Sequence, residues 1–575
     1  MIQRMKLSHK LLCFILLTLS YQTFATETDF RLHIHVHYQQ ELDTWKVRYN
    51  LPVAVNHVAF ERGSNFDRKT LYKLDDSKFI WDKADDVLLI RSIDGNVFDT
   101  VELTFPSYYN YIQKDYEHNI KYSDGSVLLY TNHLALGANI IDDKSISPLG
   151  VSFSGSQFHF YAPKQSIIFL GNTYEEKAEW NLSKNGTYIY FGNIKPIEND
   201  NMIAIVDPAL PKWVWQKTQK YFPQLFDFYK EKTDQSLNFK PVVFFNYDHM
   251  NEEYLNYSGG ALDGLVQLTI NGKRWKEENK EKFNKLFHFL AHESAHFWNG
   301  QMFTFEDQTH SWLHEGGADA FANFAMLEFG LIDSKQMMLE FEKATNTCLL
   351  NKGSESLAQS GKLGLYSNYY TCGATMAIAS HFAVKVKDPS KSLFDIWKIM
   401  FDVNRNDRAY NQQDYFNGLT LLTESNRLEN ALKAFDNTAN LNNRLAIESW
   451  FEQTGINILP TSSYSNAYKK HWGIQIVKNL MIMHCNTFSF SPYDTFIKTY
   501  PVGQCKAFEK GMEIQYIDNI DIFSNSIKAY NSFREKCDSK TIVILQNRKK
   551  EKIAQLNCLY ELPKVEPYMS LEKKS

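Results

Sequence analysis

His292, Glu293, His296 and Glu315 are the residues of this chain whose types and spacing carry chemistry. They lie in His-Glu-Ser-Ala-His-Phe-Trp-Asn-Gly, from residue 292 to 300, and in Trp-Leu-His-Glu-Gly-Gly-Ala-Asp, from 312 to 319. A helix turns about 100° and rises ~1.5 Å per residue, so histidines four apart leave one face one turn apart and can converge on one ion. That is the geometry a zinc ion needs. Glu293 beside the pair is placed to take a proton from metal-bound water without being a ligand. A third protein ligand is required.

Eighteen residues separate His296 from Glu315, enough for one helix to end at Asn299-Gly300, turn through Glu306, Asp307 and Gln308, and bring a second helix alongside. Ser311 can cap that second helix. Asp319, one turn beyond Glu315, can accept the free N–H of a ligating histidine and fix its orientation. Glu315 competes with other groups for the third position. His288 sits on the same stripe as the pair, but three ligands spread over ~12 Å of straight helix cannot meet one ion. His310 and His314 read as loop and helix-start residues, and Glu306 has no helical frame. Position 302, where a metzincin would have its third histidine, is Met302. The pentapeptide alone would be no more than a helix with two surface histidines; the second segment gives it weight.

The elements that must position these groups follow from pattern. From about residue 26 to 205, short alternating runs such as Leu32-His-Ile-His-Val-His37, Val101-Glu-Leu-Thr-Phe and Thr187-Tyr-Ile-Tyr-Phe191 predict antiparallel sheet, as a β-sandwich-like domain. His33, His35 and His37 alternate there with no acid or cysteine beside them in sequence, and read as the exposed face of a strand. From Pro208 the character changes: an amphipathic helix over Trp213 to Lys232, a buried strand at Pro241-Val-Val-Phe-Phe, and an edge strand at Gly264-Leu-Val-Gln-Leu-Thr-Ile after a Gly-rich turn. The Lys- and Glu-rich stretch from Lys273 to Lys285 opens the helix that turns apolar at Phe283, Leu286, Phe287 and Leu290 and carries the histidines. Helical patterns continue to about residue 458. After Pro460, a strand, an Asp518-Asn519 turn, a strand, a helix and a strand resemble the second half of a PDZ domain, with Gly473-Ile474 in the place of the loop that grips a peptide carboxylate. The expected architecture is multidomain α+β: signal 1–25, β-rich domain 26–205, a domain 206–400 that carries the histidines and resembles the thermolysin-like catalytic domain of zinc peptidases, helical segment 401–465 and PDZ-like domain 466–575.

Composition bounds the rest. The chain has 575 residues, 44% hydrophobic and 22% charged, which is a folded, multidomain composition. Arg4, Lys6 and Lys10 precede an apolar run from Leu11 to Leu19 and then Thr-Phe-Ala, the pattern of a cleavable secretory signal. Its removal takes the formal charge from -4 to -7, against nucleic acid as a partner. The expected location is extracytoplasmic, periplasmic or secreted, with no integral membrane segment after signal removal. Six cysteines would remain in an oxidising compartment, most simply as Cys348 with Cys372 and two bonds among Cys485, Cys505, Cys537 and Cys558.

His292-Glu-x-x-His296, eighteen residues, then Glu315 inside Trp-Leu-x-Glu-Gly resembles the gluzincin metallopeptidases, specifically the membrane alanyl aminopeptidase family. Phe297-Trp298-Asn299-Gly300, the signal and the PDZ-like tail are similar to the related glycyl aminopeptidase family. The resemblance implies one zinc ion, peptide or protein substrates, and Glu293 as general base. Tyr370-Thr-Cys-Gly-Ala374 is similar to the family's Tyr-x-Lys-Gly-Ala, which implies that Tyr370 donates to the oxyanion, with Cys372 replacing the lysine. Gly259-Gly260-Ala261-Leu262-Asp263 falls on the family's Gly-Ala-Met-Glu-Asn, an edge strand whose Gly260 and Ala261 would meet substrate backbone. Asp263 would bind the substrate's free amine, on an arm shorter by one carbon. Two other readings stay open: a zinc endopeptidase or other zinc hydrolase on the same scaffold, and a non-catalytic exported peptide-binding protein.

Overall fold

A computed structural model describes residues 31–60, 65–84, 87–108, 116–137, 155–182, 186–248, 256–461, 466–485, 488–500, 505–559, 562, 565 and 568–573. The expected signal at 1–25 lies outside them. Contacts divide the chain into two units, one made of the residues up to Ile120 with Leu128–Ile167 and Tyr174–Phe191, the other of Lys121–Val127, Ile168–Thr173 and everything from Gly192.

In the first unit the alternating runs form a nine-stranded and a four-stranded sheet. Leu32–Gln39 buries every second side chain, since successive residues of a strand face opposite sides. Tyr72 bridges the sheets: its ring stacks on Phe105 of the larger at 4.6 Å and meets Phe60 of the smaller edge-on at 5.6 Å. Buried Arg68 lies over Phe60 at 4.0 Å and donates to the His133 carbonyl at 2.8 Å. His33 and His35 do lie on the partly exposed face. His159 of the parallel neighbouring strand stacks on His35 at 4.6 Å and touches His33 at 3.0 Å, and Glu179 takes the other nitrogen of His159 at 3.1 Å. A carboxylate is therefore alongside after all, brought in by strand pairing.

The second unit is built on a five-stranded sheet in the order Ile197–Glu198, Ile203–Val206, Val242–Asp248, Leu265–Asn271, Asn256–Leu262. Here the expectation needs correcting. Leu265–Asn271 is an interior strand, parallel to Val242–Asp248 on one side, and the Gly-rich stretch Asn256–Leu262 is itself the edge. Gly259 explains how glycines enter a strand: at φ 155° a Cβ there would lie 2.0 Å from the Gln267 carbonyl. Asp263-Gly264 closes the hairpin as a two-residue turn between paired Leu262 and Leu265, with Gly264 at φ 69°.

Helices pack on this sheet around one apolar core that runs from Met202 to Ile456 and takes in Met569 and Leu571 near the C-terminus. The helices Leu393–Val403, Gln412–Thr423, Arg427–Asn437 and Asn443–Phe451 share that core. Cys348 is bonded to Cys372, as expected, and so fastens helix Ser334–Asn351 to helix Ser367–Lys387.

The tail has a core of its own around Trp472, Ile476, Leu480, Ile517, Phe533 and Leu545. Tyr516–Ile517, the turn at Asp518 and Asn519, Ile520–Asp521, helix Ser526–Asp538 and strand Ile542–Gln546 follow in the expected order. The pairs Cys485–Cys505 and Cys537–Cys558 close it. Gly473-Ile474 is no loop. It lies inside helix Asn466–Cys485, where Gly473 lets the helix approach the Ile522 carbonyl so closely that a Cβ would sit 2.1 Å from it.

Candidate metal centre and active site

The histidine helix, Lys280–His296, starts at Asn279, whose side chain accepts the Lys282 N–H at 2.9 Å. Its face Phe283, Leu286, Phe287 and Leu290 is buried at helical spacing, and that burial fixes the rotation that points His292 and His296 the same way. The helix does not end at Asn299-Gly300 but runs into a π-turn over Phe297–Met302. The wider turn brings the Asn299 side chain back, and its Oδ1 accepts from His296 Nδ1 at 2.9 Å. Asn299 in turn donates to the His314 carbonyl at 2.9 Å.

Glu315 stands on helix Trp312–Glu328 and Tyr370 on helix Ser367–Lys387. These two cross where glycine faces glycine: a Cβ on Gly316 would lie 2.3 Å from Gly373, and one on Gly373 2.2 Å from the Trp312 carbonyl. Gly317 makes equally close room for the Trp397 ring at 2.6 Å. Backbones this near hold Glu315 and Tyr370, each within a turn of its glycine, on one side of the crossing.

The three ligand atoms form a nearly equilateral triangle. His292 and His296 Nε2 are 3.1 Å apart, and Glu315 Oε2 lies 3.2 Å from the first and 3.4 Å from the second. Tetrahedral zinc with bonds of ~2.0–2.2 Å has edges of roughly 3.3–3.6 Å, and the triangle lies within a few tenths of an ångström of that geometry. Both Nδ1 atoms are occupied, His292 by Asp319 Oδ1 at 2.9 Å and His296 by Asn299, which leaves both Nε2 lone pairs for the metal. Among the described residues this is the only group of three or more ligating side chains whose donor atoms converge. His288 is outside it. His310 is bound to Asp436 at 2.6 Å, exposed Glu306 faces Asn411, and His314 stacks on His296 at 4.1 Å between ring centres.

Glu293 accepts the Ala261 N–H at 2.8 Å, so the sheet edge opens directly onto it. Gly260 adjoins on the same strand. Tyr370 lies flat against His292, 5.5 Å between ring centres, and is the one of three neighbouring tyrosines that reaches the site. Tyr369 is buried, its hydroxyl accepting from Gly361 N–H at 2.9 Å, and Tyr366 is exposed. Asp263 sits at the hairpin turn, half-buried, and makes no hydrogen bond or ion pair with the other site residues. Gln301 holds that turn, accepting from Gly264 N–H and donating to the Leu262 carbonyl.

Charge is distributed to keep donors and acceptors in role. Burial, and then the charges of Glu315 and Glu293, push the Tyr370 phenol well above its ordinary range, so it remains a donor at neutral pH. Burial and then His296 bring His314 down to about 4, which leaves it neutral. Burial would raise Asp319, but its hydrogen bond to His292 and that ring's charge outweigh this, and its carboxyl is held below the usual range. A cavity of about 440 Å³ opens beside Glu315 and Tyr370, walled also by Gln308, Ser311, Lys362 and Tyr366.

The chain is similar in fold to an aminopeptidase N family protein. That protein, from Idiomarina loihiensis, superposes with a TM-score of 0.59 at 10% identity, over 95% of this chain and 98% of its own. Two structures of yeast leukotriene A4 hydrolase, one in complex with bestatin and one native from Saccharomyces cerevisiae, give 0.42 at 10% identity over 80% of this chain and 72% of theirs. No family model and no curated protein sequence matches the chain.

Asn299 is the positioning residue that sequence reasoning missed, and the π-turn that brings it to His296 has no signature in the sequence. The Asp263-Gly264 turn did have one, since Asp-Gly between apolar runs is the ordinary signal of a tight hairpin.

Proposed function

We propose that this chain is a zinc-dependent peptidase of the aminopeptidase type, acting outside the cytoplasm on peptides or proteins. The observation that carries the reading is the triangle of two imidazole nitrogens and a carboxylate with Glu293 and Tyr370 beside it. His292, His296 and Glu315 would hold one zinc ion. Bound there, the ion supplies Lewis acidity, lowering the pKa of water and polarising the scissile carbonyl.

The chain's own groups do the rest. The edge strand at Gly260 and Ala261 aligns the substrate backbone beside Glu293, which accepts the Ala261 N–H. Glu293 takes the proton of the attacking water and delivers it to the leaving amine nitrogen. The Tyr370 hydroxyl donates to the carbonyl oxygen as it gains charge, an interaction stronger in the transition state than in the ground state. Asp319 and Asn299 keep both ligating rings in one tautomer and one orientation.

Asp263 is the candidate for the substrate's ammonium. Its place on the turn, without a partner in the site, favours keeping the endopeptidase reading as the second one. Peptides with free and with acetylated N-termini separate the two: an aminopeptidase cleaves the free series and rejects the blocked one, whereas equal cleavage of both assigns an endopeptidase. The PDZ-like reading of 466–575 is retained as a peptide-binding proposal without its Gly473 loop. The division at 26–205, 206–400 and 401–465 stands on the same footing. No described helix is long and apolar enough to cross a membrane.

A further inference from the structure

Far along the chain from the metal ligands, a second cavity, of about 750 Å³, opens between helix Ser334–Asn351, the start of helix Asn443–Phe451 and helix Asn466–Cys485 of the tail. Its size is that of a site for a drug-sized ligand or a short peptide. Its charge is one-sided: among the described residues Arg444 and Lys478 line it, and no Asp or Glu does. Lys478 makes no ion pair among the described residues; its ammonium lies over the Phe488 ring at 5.0 Å, and burial lowers its pKa. Arg444 meets Glu448 through one nitrogen at 3.4 Å.

Two further features have the same polarity. The N-terminal end of helix Asn443–Phe451 is at the cavity, with its cap Asn442 in the wall, and a helix start carries partial positive charge from backbone N–H groups. Trp472, 3% exposed, lines the cavity, and its buried indole N–H has no hydrogen-bond partner among the described residues. The remaining wall is mixed: Leu441, Ile482 and Tyr530 supply apolar surface, and Asn351, Gln475 and Asn479 supply polar groups.

We propose that this cavity binds an organic anion, a carboxylate on an apolar body, with Lys478 and Arg444 taking the charge and Trp472 and Tyr530 covering the body. A peptide C-terminus and a small aliphatic or aromatic acid share that chemistry. The test titrates the full zinc-loaded chain carrying Glu293→Gln, so that nothing is hydrolysed, and follows tryptophan fluorescence and heat. The probes are acetyl-Leu-Leu-Phe as free acid, the same peptide as amide, phenylpropionate and inorganic phosphate. The free acids should bind at least about tenfold more tightly than the amide, and Lys478→Gln or Arg444→Gln should each weaken acid binding about tenfold. The tripeptide acid binding more tightly than phenylpropionate assigns a peptide terminus, and the reverse a small acid. Equal affinity for acid and amide, acid binding unmoved by both variants, or phosphate binding as tightly as either acid would overturn the proposal. Each variant returned to the wild-type background should melt and cleave peptides as the parent does, which separates loss of the site from loss of fold.

Discussion

Asn299 offers the sharpest test of how the metal centre is held. Replacing it by Ala removes the acceptor 2.9 Å from His296 Nδ1 and the donor 2.9 Å from the His314 carbonyl. His296 is 9% exposed, so water replaces that acceptor poorly, and the Nδ1 proton is left unpaired or moves to Nε2, the atom that must face the metal. A buried donor without a partner costs about 1–3 kcal/mol. Loss of an orienting partner of a ligating histidine lowers metal affinity by about 10–100-fold, which is about 1.4–2.7 kcal/mol. The two ranges agree, and zinc affinity should fall accordingly. Competition against a fluorescent chelator measures it, with Glu306→Ala as the control that leaves affinity unchanged. Asn299→Asp, which keeps an acceptor for Nδ1, should retain most of the affinity. If Asn299→Ala binds zinc within about twofold of the parent, the assignment of Asn299 as the holder of His296 fails.

Other expectations follow from the same geometry. Tyr370→Phe should lower kcat about 10²–10³-fold with zinc content and KM little changed, as for loss of one oxyanion donor; a parallel loss of zinc would mean that the ring holds the site instead. Gly373→Ala places a methyl 2.2 Å from the Trp312 carbonyl, so overpacking should cost at least about 1–3 kcal/mol by denaturant unfolding, whereas Gly353→Ala, with open space around it, tests only backbone strain at φ 67°. The His310 ion pairs with Asp436 at 2.6 Å and Asp307 at 3.4 Å give a pH dependence. Burial lowers the His310 pKa, but the hydrogen bond and charge of Asp436 outweigh it and the folded value is raised. Its contribution is therefore fully present below the unfolded value of about 6.5 and is lost as pH rises through the folded one. The stability gap between parent and His310→Gln should be wider near pH 6 than near pH 8.5, and a gap independent of pH would contradict the pairing.

What could be read from the sequence was whatever local periodicity carries. The i, i+4 histidines, the capped helix that presents them and the second helix that returns Glu315 all follow from spacing within short segments. Asp319 was legible for the same reason, being one turn from Glu315. Pairwise approach was not legible. Nothing in Glu-Gly-Gly or Cys-Gly-Ala says that Gly316 and Gly373 meet, although both glycines are needed where they do. Leu265–Asn271 reads as an edge strand after a Gly-rich turn because the glycines hide that Asn256–Leu262 is itself a strand, and only sheet order shows it pairing on the outside. Gly473 suggested a loop, whereas its hydrogen atom serves a close helix contact with the Ile522 carbonyl. Nor does Tyr-Thr-Cys-Gly-Ala say that Cys372 is bonded to Cys348 and ties two helices together two residues from Tyr370.

In the proposed mechanism Glu293 moves the proton while His292, His296 and Glu315 hold the metal. Zinc content and peptide turnover measured together on the parent, Glu293→Gln and Glu315→Ala test it most directly. The expected result is one zinc per chain and chelator-sensitive cleavage in the parent, undiminished zinc with cleavage abolished in Glu293→Gln, and loss of both in Glu315→Ala. Substantial hydrolysis by zinc-loaded Glu293→Gln, or a full complement of zinc in Glu315→Ala, would contradict it.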